Sequence, residues 1–277
     1  MNIFLTGGTG FIGSNLLRSL EGSSHNILAI KRQRANTRFD IFNNNLKWID
    51  KSFEQISDND FNNVEILVHL AAYSENMPHD NLSQSVYWNV VAPLEFFMKA
   101  YQSGVRKFLV TGTCFEYGMS CDEYEFIPTD APLRPLGSYA TSKAISSIAF
   151  KEFSRLPGVS LKYLRLFQVY GDGESENRLW PSLCKAAKDG QNFEMSSGVQ
   201  VRDFINVRDV CEKLLFEIED FAVDSLGYSV KNIGTGKGLK LIDFANYWWA
   251  EFNAKGQILV NVLPLRDAHI QRCVAKI

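Results

Sequence analysis

The sequence lacks the features that mark metal-binding and membrane proteins. Its 277 residues include only five cysteines and four histidines, and because the cysteines form no CxxC pair, no metal site is expected. We interpret the cysteines as free thiols of a reducing cytoplasm. No apolar run is long enough to span a membrane, and the N-terminus has no basic segment before an apolar one. Neither a membrane partner nor a signal peptide is therefore expected.

The sequence also lacks an excess of charge of one sign. Its formal net charge is -2 and 45% of its residues are hydrophobic. Nucleic acid is not expected as a partner, because nucleic-acid-binding proteins present a basic face. A chain of this length and composition can bury a large core, so it fits one large α/β unit or two lobes.

What the sequence does contain is a glycine-rich turn near its N-terminus. Residues 2–6 have the pattern of a short buried strand, four glycines follow within seven residues, and an apolar helix pattern comes next. A helix N-terminus behind such a turn offers free N–H groups and a favourable dipole to an anion. We therefore predict a dinucleotide-binding fold rather than a turn needed only for packing. The residues predicted to contact the dinucleotide here are Gly7, Gly10, Phe11, Ile12 and Gly13.

Basic residues follow the second predicted strand, residues 25–30. Lys31 and Arg32 stand where such a fold meets the adenosine ribose. A carboxylate at that place binds the 2′-hydroxyl of NAD, whereas a basic residue accommodates the 2′-phosphate of NADP. The sequence favours NADP, and NAD or a merely solvated basic loop are the alternatives. Asp50, after a third strand at 46–49, is predicted to lie near the adenine.

The next segments extend the predicted cofactor site. Residues 33–45 are too polar for a good helix, whereas 65–70 and 107–111 have the pattern of buried strands and 82–103 that of a long helix. Small residues at the end of the fourth strand suit the close passage of a cofactor. The further predicted cofactor contacts are Leu70, Ala71, Ala72, Asn89 and Thr111.

A tyrosine and a lysine supply the candidate catalytic groups. Tyr139 and Lys143 lie four residues apart on a predicted helix and therefore share a face. A lysine near a phenol favours the phenolate, so we expect the tyrosine pKa to fall from about 10 toward neutrality. Thr113, just past the fifth strand, is placed to bond the same substrate oxygen. A YxxxK pattern alone is weak, and its weight comes from its position after the glycine turn and the fifth strand.

Together these motifs resemble the extended short-chain dehydrogenase/reductase family, in its NAD-dependent epimerase/dehydratase branch. The resemblance covers nearly the whole chain and rests on segments at 6–13, 69–72, 111–118, 139–143, 165–171, 201–210 and 232–236. It implies a doubly wound parallel sheet of the Rossmann type with a smaller C-terminal substrate lobe. The expected dinucleotide-binding lobe comprises residues 1–166 and 204–235, and the expected substrate lobe comprises 167–203 and 236–277.

The resemblance also implies a hydride step at C4 of a sugar linked to a nucleoside diphosphate. Tyr139 is then the acid/base, Lys143 its tuner and ribose ligand, and Thr113 the hydroxyl that orients the sugar oxygen. Helices at 82–103 and 138–156 are expected to form a homodimer interface. The implied substrate-binding residues are Thr113, Cys114, Phe115, Gln168, Arg178, Leu179, Arg202 and Arg266.

Departures from the family pattern narrow the expected activity. Dehydratases of this branch carry an Asp-Glu pair where this chain has Cys114 and Phe115, so water elimination is not expected. We expect an NADPH-dependent 4-ketoreductase of a nucleotide-linked 4-keto-6-deoxyhexose. The alternatives are a nucleotide-sugar 4-epimerase with bound NAD and, from another class, a non-catalytic dinucleotide-sensing protein. Glu116 and Asp130 are expected to be solvated, and a surface ion pair with Asp203 is an alternative role for Arg202.

Overall fold

The computed structural model describes residues 1–33, 35–73, 81–223, 227–264 and 270–277. The strands are β1 Asn2–Thr6, β2 Asn26–Lys31, β3 Leu46–Asp50, β4 Ile66–His69, β5 Lys107–Thr113, β6 Ser160–Leu166, β7 Gln168–Tyr170, β8 Phe193–Glu194, β9 Val201–Arg202, β10 Phe204–Asn206, β11 Tyr228–Ile233, β12 Leu239–Lys240, β13 Ile258–Leu259 and β14 Arg272–Cys273. The α-helices are α1 Phe11–Ser19, α2 Leu82–Val86, α3 Ala92–Gln102, α4 Ser138–Phe153, α5 Leu179–Lys188, α6 Val207–Glu219 and α7 Leu241–Glu251.

The centre of the fold is a seven-stranded sheet in the order β11-β6-β5-β4-β1-β2-β3. Every neighbouring pair of these strands is parallel. The strand order runs outward in one direction from β1 and in the other from β4, so the winding reverses between these two strands. The predicted doubly wound parallel sheet is thereby confirmed. Ligands of such sheets bind in the crevice beyond the carboxyl ends of the strands at this reversal.

Both faces of the sheet are covered, which explains why its central strands are nearly continuous apolar runs. On one face, α1 and α6 contribute Leu16, Leu17 and Leu214 to a core against β1 and β4. On the other face, the aromatic side chains of α3 and α4, among them Phe97 and Phe150, pack on β4 and β5. The carboxyl ends of β1, β4 and β5 are therefore held between two packed layers.

The predicted element boundaries need small corrections. Lys31, Asp50 and Thr113 were expected to follow their strands, but each is the last residue of one. The strands continue because pairing does, with Lys31 opposite Asp50 and Thr113 opposite Leu166. Within the described part of 33–45 no helix forms, as its polarity predicts. The long helix expected at 82–103 is confirmed as α2, a π-helical turn at Tyr87–Val91, and α3.

The later part of the chain adds three small sheets, with the strand orders β10-β7, β12-β9-β14 and β13-β8. Aromatic side chains pack these sheets against α5 and α7. The ring centres of Trp180 on α5 and Trp248 on α7 are 5.7 Å apart. The division into the two expected lobes stays a prediction. Among the described residues, no helix is both long enough and apolar enough to cross a membrane.

Candidate active site

The glycine turn leaves the N-terminus of α1 open to an anion. A Cβ at Gly7 would lie 2.5 Å from the Ala71 backbone nitrogen, and one at Gly13 would lie 2.1 Å from the Gly7 carbonyl oxygen. These two glycines are therefore required by the packing of the turn itself. Gly10 is the N-cap of α1, and no side chain caps the helix there. The uncapped first turn, which begins at Phe11 and Ile12, fits the pyrophosphate of a dinucleotide.

The carboxyl end of β4 forms the floor beside this turn. The Thr6 hydroxyl lies 2.8 Å from His69 Nδ1 and accepts a 3.4 Å bond from the Ala71 backbone N–H. Leu70 and Ala71 are half-buried, and Ala72 is exposed. The small side chains of Ala71 and Ala72 leave space next to the end of β4, and the predicted cofactor contacts require such space.

Asn89 lies in the π-helical turn and connects two parts of the site. Its Oδ1 accepts a bond of 2.7 Å from the Tyr73 N–H, while its Nδ2 donates to the Tyr73 carbonyl and, at 2.9 Å, to the Ser142 hydroxyl. Asn89 thus fixes the loop after β4 against α4. Its direct contact with a cofactor stays a prediction.

The predicted ribose end contains an ion pair. Lys31 Nζ lies 3.7 Å from Asp50 Oδ1 and 5.7 Å from the centre of the Trp48 ring. Arg32, the next residue, is exposed. The amine of Lys31 is therefore shared with a carboxylate, whereas the guanidinium of Arg32 extends from the end of β2.

The lysine of the Tyr139–Lys143 pair is held beneath the site. Lys143 is buried, and its Nζ donates a 2.7 Å bond to the Thr111 carbonyl. Burial lowers the pKa of Lys143 to about 8, and the nearby Glu116 carboxylate opposes this shift. The Thr111 hydroxyl in turn donates to the His69 carbonyl at 3.3 Å. Lys143 and Thr111 thus tie α4 and β5 to the end of β4.

The expected depression of the Tyr139 pKa is wrong for the protein chain on its own. Burial of the phenol raises its pKa, the charge of Glu116 adds to that rise, and Arg178 opposes it. The physical reason is that burial removes the water that would stabilise the charged phenolate, and the negative charge of Glu116 disfavours it further. Arg178, whose charge opposes the rise in the Tyr139 pKa, is exposed and precedes the first turn of α5.

The expectation that Glu116 is solvated is wrong. Its side chain is fully buried. The carboxylate accepts hydrogen bonds of 2.8 Å from the Thr113 backbone N–H, 2.9 Å from the Tyr163 hydroxyl and 2.8 Å from Arg165 Nε. Burial raises the pKa of Glu116, and the charges of Arg165 and Lys143 counteract that rise. Asp130, by contrast, is exposed as expected.

One signal in the sequence pointed to this pair. Arg165 is the penultimate residue of the mostly apolar strand β6, and a buried cation there needs a partner. The guanidinium also donates 2.9 Å bonds to the Tyr117 hydroxyl and the Thr129 carbonyl. Tyr117 donates onward to Asn232 at 2.6 Å. A connected polar network therefore lies next to the end of β5, where Thr113 is the last residue.

The predicted substrate-binding residues differ in their exposure to solvent. Cys114 is buried in an apolar cluster with Cys121 and Cys273. Phe115, Gln168 and Leu179 are half-buried, and Arg178 is exposed. Arg266 lies outside the described residues.

In the described structure, Arg202 bonds to backbone carbonyls and not to the carboxylate of its neighbour Asp203. Its guanidinium donates 2.9 Å and 3.0 Å bonds to the carbonyls of Val201 and Ile270. Asp203 is buried and instead accepts bonds from the backbone of Thr235 and Gly236. The arginine is therefore held in place by backbone, and its charge is not paired with Asp203.

An uncapped helix N-terminus after the first strand of a doubly wound parallel sheet, with a buried lysine bonded to the neighbouring strand β5, matches the arrangement expected of a dinucleotide-binding site. The chain belongs to the NAD-dependent epimerase/dehydratase family, whose model matches residues 3–234. The members named below are enzymes, and so is this protein. The resemblance inferred from the motifs is confirmed.

Two relatives align over almost the entire chain. One is a dTDP-6-deoxy-L-talose 4-dehydrogenase (NAD(+)) from Aggregatibacter actinomycetemcomitans, 28% identical over 273 residues, which are 96% of each protein. Another is a CDP-abequose synthase from Salmonella muenchen, 27% identical over 97% of this chain and 86% of that protein. Among solved structures, a UDP-N-acetylglucosamine 4-epimerase from Methanobrevibacter ruminantium, in complex with UDP-N-acetylmuramic acid, has a TM-score of 0.88 and 21% identity, over 100% of this chain and 89% of that one. That likeness concerns the fold.

Proposed function

We propose that this protein is an NADPH-dependent 4-ketoreductase of a nucleoside-diphosphate-linked 4-keto-6-deoxyhexose. The observation that carries the proposal is the bond of 2.7 Å from the Lys143 amine on α4, four residues after Tyr139, to the carbonyl of Thr111 on β5, two residues before Thr113. A relative named as a 4-dehydrogenase of a dTDP-linked 6-deoxyhexose supports chemistry at the same carbon. Reduction of a 4-ketone is that reaction in reverse.

The chain's own residues supply positioning and a proton. The Tyr139 hydroxyl donates the proton that the sugar O4 requires as its carbonyl is reduced, and the Thr113 hydroxyl bonds the same oxygen. Lys143 contributes positive charge under the phenol when it is protonated. A bound nicotinamide dinucleotide supplies the hydride, and the open N-terminus of α1 fits its pyrophosphate. Arg178 and Arg202 are the candidate ligands of the substrate diphosphate, because a guanidinium fork matches phosphate oxygens.

Water elimination is not part of the proposed reaction. Cys114 is buried in an apolar cluster, and Phe115 has no ionisable group. Neither residue can supply the acid and base that elimination needs at these positions. The proposed enzyme therefore acts on a ketone that another enzyme has already formed.

The proposal is tested with a panel of nucleotide-linked 4-keto-6-deoxyhexoses. Each sugar is mixed with the protein and either NADPH or NADH, and loss of the reduced-cofactor absorbance is followed. We expect turnover of at least one sugar with NADPH and a product carrying a 4-hydroxyl by mass spectrometry and NMR. No turnover with any sugar and either cofactor would contradict the reductase proposal.

A 4-epimerase with bound NAD is the second candidate, and one observation favours it. Lys31 is paired with Asp50, which reduces the positive charge it can offer to a 2′-phosphate. An epimerase recovers its hydride within each turnover and can keep NAD bound. Mass spectrometry of the protein as purified separates the candidates, because retained NAD together with interconversion of 4-epimers supports the epimerase. A dinucleotide-sensing protein would bind cofactor without any turnover.

We also propose that the enzyme is a homodimer joined through α2, α3 and α4. The exposed apolar residues of this surface include Tyr87 and Val91 in the π-helical turn between α2 and α3, and Ile148 on α4, with 38%, 38% and 64% of their surface accessible. Such residues on neighbouring helices match the interface expected from the family resemblance. We expect light scattering to give a dimer for the wild type and a monomer for Ile148→Asp. Phe216→Asp on α6, where the phenylalanine is 58% exposed, is the matched control and should stay dimeric.

A further inference from the structure

Glu116 is a buried carboxylate next to the proposed catalytic residues, and the proposed reaction gives it no role. It ends a 3-10 turn at Cys114–Glu116, directly after the strand that carries Thr113. Its Oε1 atom accepts the Thr113 backbone N–H at 2.8 Å, and its Oε2 atom accepts Arg165 Nε at 2.8 Å. The carboxylate thus connects the backbone of a proposed catalytic residue to a buried cation on β6.

The neighbouring strands are built to admit this carboxylate. Gly112 lies opposite Arg165 in the pairing of β5 with β6. A Cβ at Gly112 would lie 2.4 Å from Glu116 Oε1 and 2.3 Å from a ring carbon of Tyr163. Any larger residue at 112 would displace the carboxylate. The glycine is therefore needed for the space that it leaves to Glu116.

The carboxylate also faces the proton-transfer residues. Its charge raises the pKa of Tyr139 and opposes the fall in the pKa of Lys143. Lys143 in turn faces His69 of β4, whose pKa it lowers together with burial. The charged and titratable groups that face Glu116 from the packed elements are Lys143 and Tyr139 of α4, Tyr163 and Arg165 of β6, the adjacent Tyr117, and Tyr228 of β11.

We infer that Glu116 is a positioning residue of the active site, whose carboxylate fixes the backbone of Thr113 and holds negative charge beneath Lys143 and Tyr139. This inference rests on the proposed function. Without the carboxylate, the Thr113 hydroxyl loses its fixed direction toward the sugar oxygen, and the charge balance around Tyr139 changes.

The test is Glu116→Gln, which keeps the shape but has one acceptor oxygen instead of two. Either the Thr113 N–H or Arg165 Nε then loses its acceptor. The matched control is Glu217→Gln. Glu217 is also buried, and each of its two oxygens accepts a 2.6 Å hydrogen bond from a lysine amine, one from Lys162 and one from Lys231. Both variants should lose thermal stability. Only Glu116→Gln should lower kcat, by roughly 10- to 100-fold, as expected for a misplaced reacting group.

The pH profile separates positioning from a purely structural role. Loss of the Glu116 charge removes an influence that raises the pKa values of both Tyr139 and Lys143. The profile of kcat for Glu116→Gln should therefore move to lower pH, while that of Glu217→Gln matches wild type. Equal melting losses in both variants, with kcat and pH profile unchanged in both, would overturn the inference.

A double-mutant cycle tests whether Glu116 acts through Thr113. Thr113→Val should lower kcat, and Glu116→Gln should lower it little further in that background, because the hydroxyl to be positioned is gone. Full additivity of the two kcat losses would contradict positioning through Thr113. If Glu116→Gln does not fold, the neutral pair Glu116→Gln with Arg165→Gln replaces it, since no unpaired buried charge remains.

One further readout needs no activity. The Thr113 amide, which donates to Glu116, should exchange its hydrogen slowly in wild type and faster in the double variant Glu116→Met with Arg165→Met, which leaves no acceptor at position 116. If no nucleotide sugar is turned over, the proposed function fails, and this exchange still tests the contact. Unchanged protection of the Thr113 amide in the variant would contradict the inference by itself.

Discussion

Two buried cations lie three positions apart on β6, but only one of them, Arg165, pairs with a residue next to the proposed active site. Lys162 Nζ donates to a carboxylate oxygen of Glu217 at 2.6 Å and to the Asp220 carbonyl at 2.5 Å, at the C-terminus of α6. Arg165 lies nearer the carboxyl end of the strand and pairs with Glu116. Both pairs are almost fully removed from solvent.

The comparison shows that similar ion-pair chemistry acquires a different role from its position along the strand. Within the described residues, the Lys162 amine bonds to the Glu217 side chain and to carbonyls at the end of α6, none of which belongs to the proposed site. The Arg165 pair lies next to Thr113 at the end of β5, where parallel sheets place their ligand sites. Burial alone therefore does not distinguish a structural pair from one that shapes a site.

The largest expected effect is a loss of turnover, caused by a substitution near the carboxyl ends of the strands, where Arg165 also lies. Tyr139→Phe removes the proposed proton donor and should lower turnover by roughly two to four orders of magnitude, with folding and cofactor binding retained. Steady-state assays with the best sugar of the panel, and calorimetric cofactor titration, measure the two quantities.

Tyr101→Phe is the control for that variant. The Tyr101 hydroxyl donates to the Pro157 carbonyl at 3.4 Å on the outer side of α3, so its loss should leave turnover near the wild-type value. Near-normal turnover in Tyr139→Phe would contradict the assignment of Tyr139 as the acid/base. The proposed active site at this end of the sheet would then lack its proton donor.

The next effect should fall on stability alone. Lys162→Met leaves Glu217 with Lys231 as its cation and leaves the carbonyls at the end of α6 without a donor. Breaking a buried pair in this way should lower the free energy of unfolding by about 3 kcal/mol. Denaturant titration measures that loss, and kcat per folded molecule should not change. A large fall in kcat would show that the two ends of β6 are coupled.

The parts of the site that could be predicted from sequence are those that local patterns specify. Glycine spacing before a helix and the four-residue spacing of Tyr139 and Lys143 are short-range signals. The pairing of Glu116 with Arg165 depends on the register of β5 against β6, over a separation of 49 residues. The loss of solvent around Tyr139, which reverses the expected direction of its pKa, likewise arises only when the layers pack.

A smaller effect is expected where cations are exposed rather than buried. Lys31→Ala with Arg32→Ala should weaken NADPH binding by about 1.5–3 kcal/mol, the range for a hydrogen bond to a charged group. NADH binding should change little, since it has no 2′-phosphate. Calorimetric titration of both cofactors measures the difference. A wild type that prefers NADH, or that purifies with NAD, would favour the epimerase.

Asp50→Asn sharpens that test from the opposite direction. It removes the carboxylate that lies 3.7 Å from the Lys31 amine. The freed amine should then bind NADPH more tightly than in wild type. Unchanged NADPH affinity in this variant would mean that Lys31 does not reach the 2′-phosphate.

A last effect, on stability in acid, concerns another buried ionisable group at the carboxyl end of the central strands. His69 is buried, and burial together with the charge of Lys143 lowers its pKa to about 3 from an ordinary value of 6.5. Between these values the unfolded chain binds a proton that the folded protein does not. Stability should therefore fall as the pH falls through this window, by up to about 1.4 kcal/mol per pH unit from this group.

His69→Gln removes that proton-binding group while keeping a polar partner for the Thr6 hydroxyl, which lies 2.8 Å from the imidazole. Compared with wild type, the variant should lose less stability between about pH 6 and pH 4, because only the other titrating groups remain. Urea titrations at several pH values give both curves. Parallel curves would mean that His69 binds its proton equally in the folded and unfolded states. The buried histidine would then not make the protein less stable in acid. The difference between the two ends of β6 would be supported by the Arg165–Glu116 pair alone.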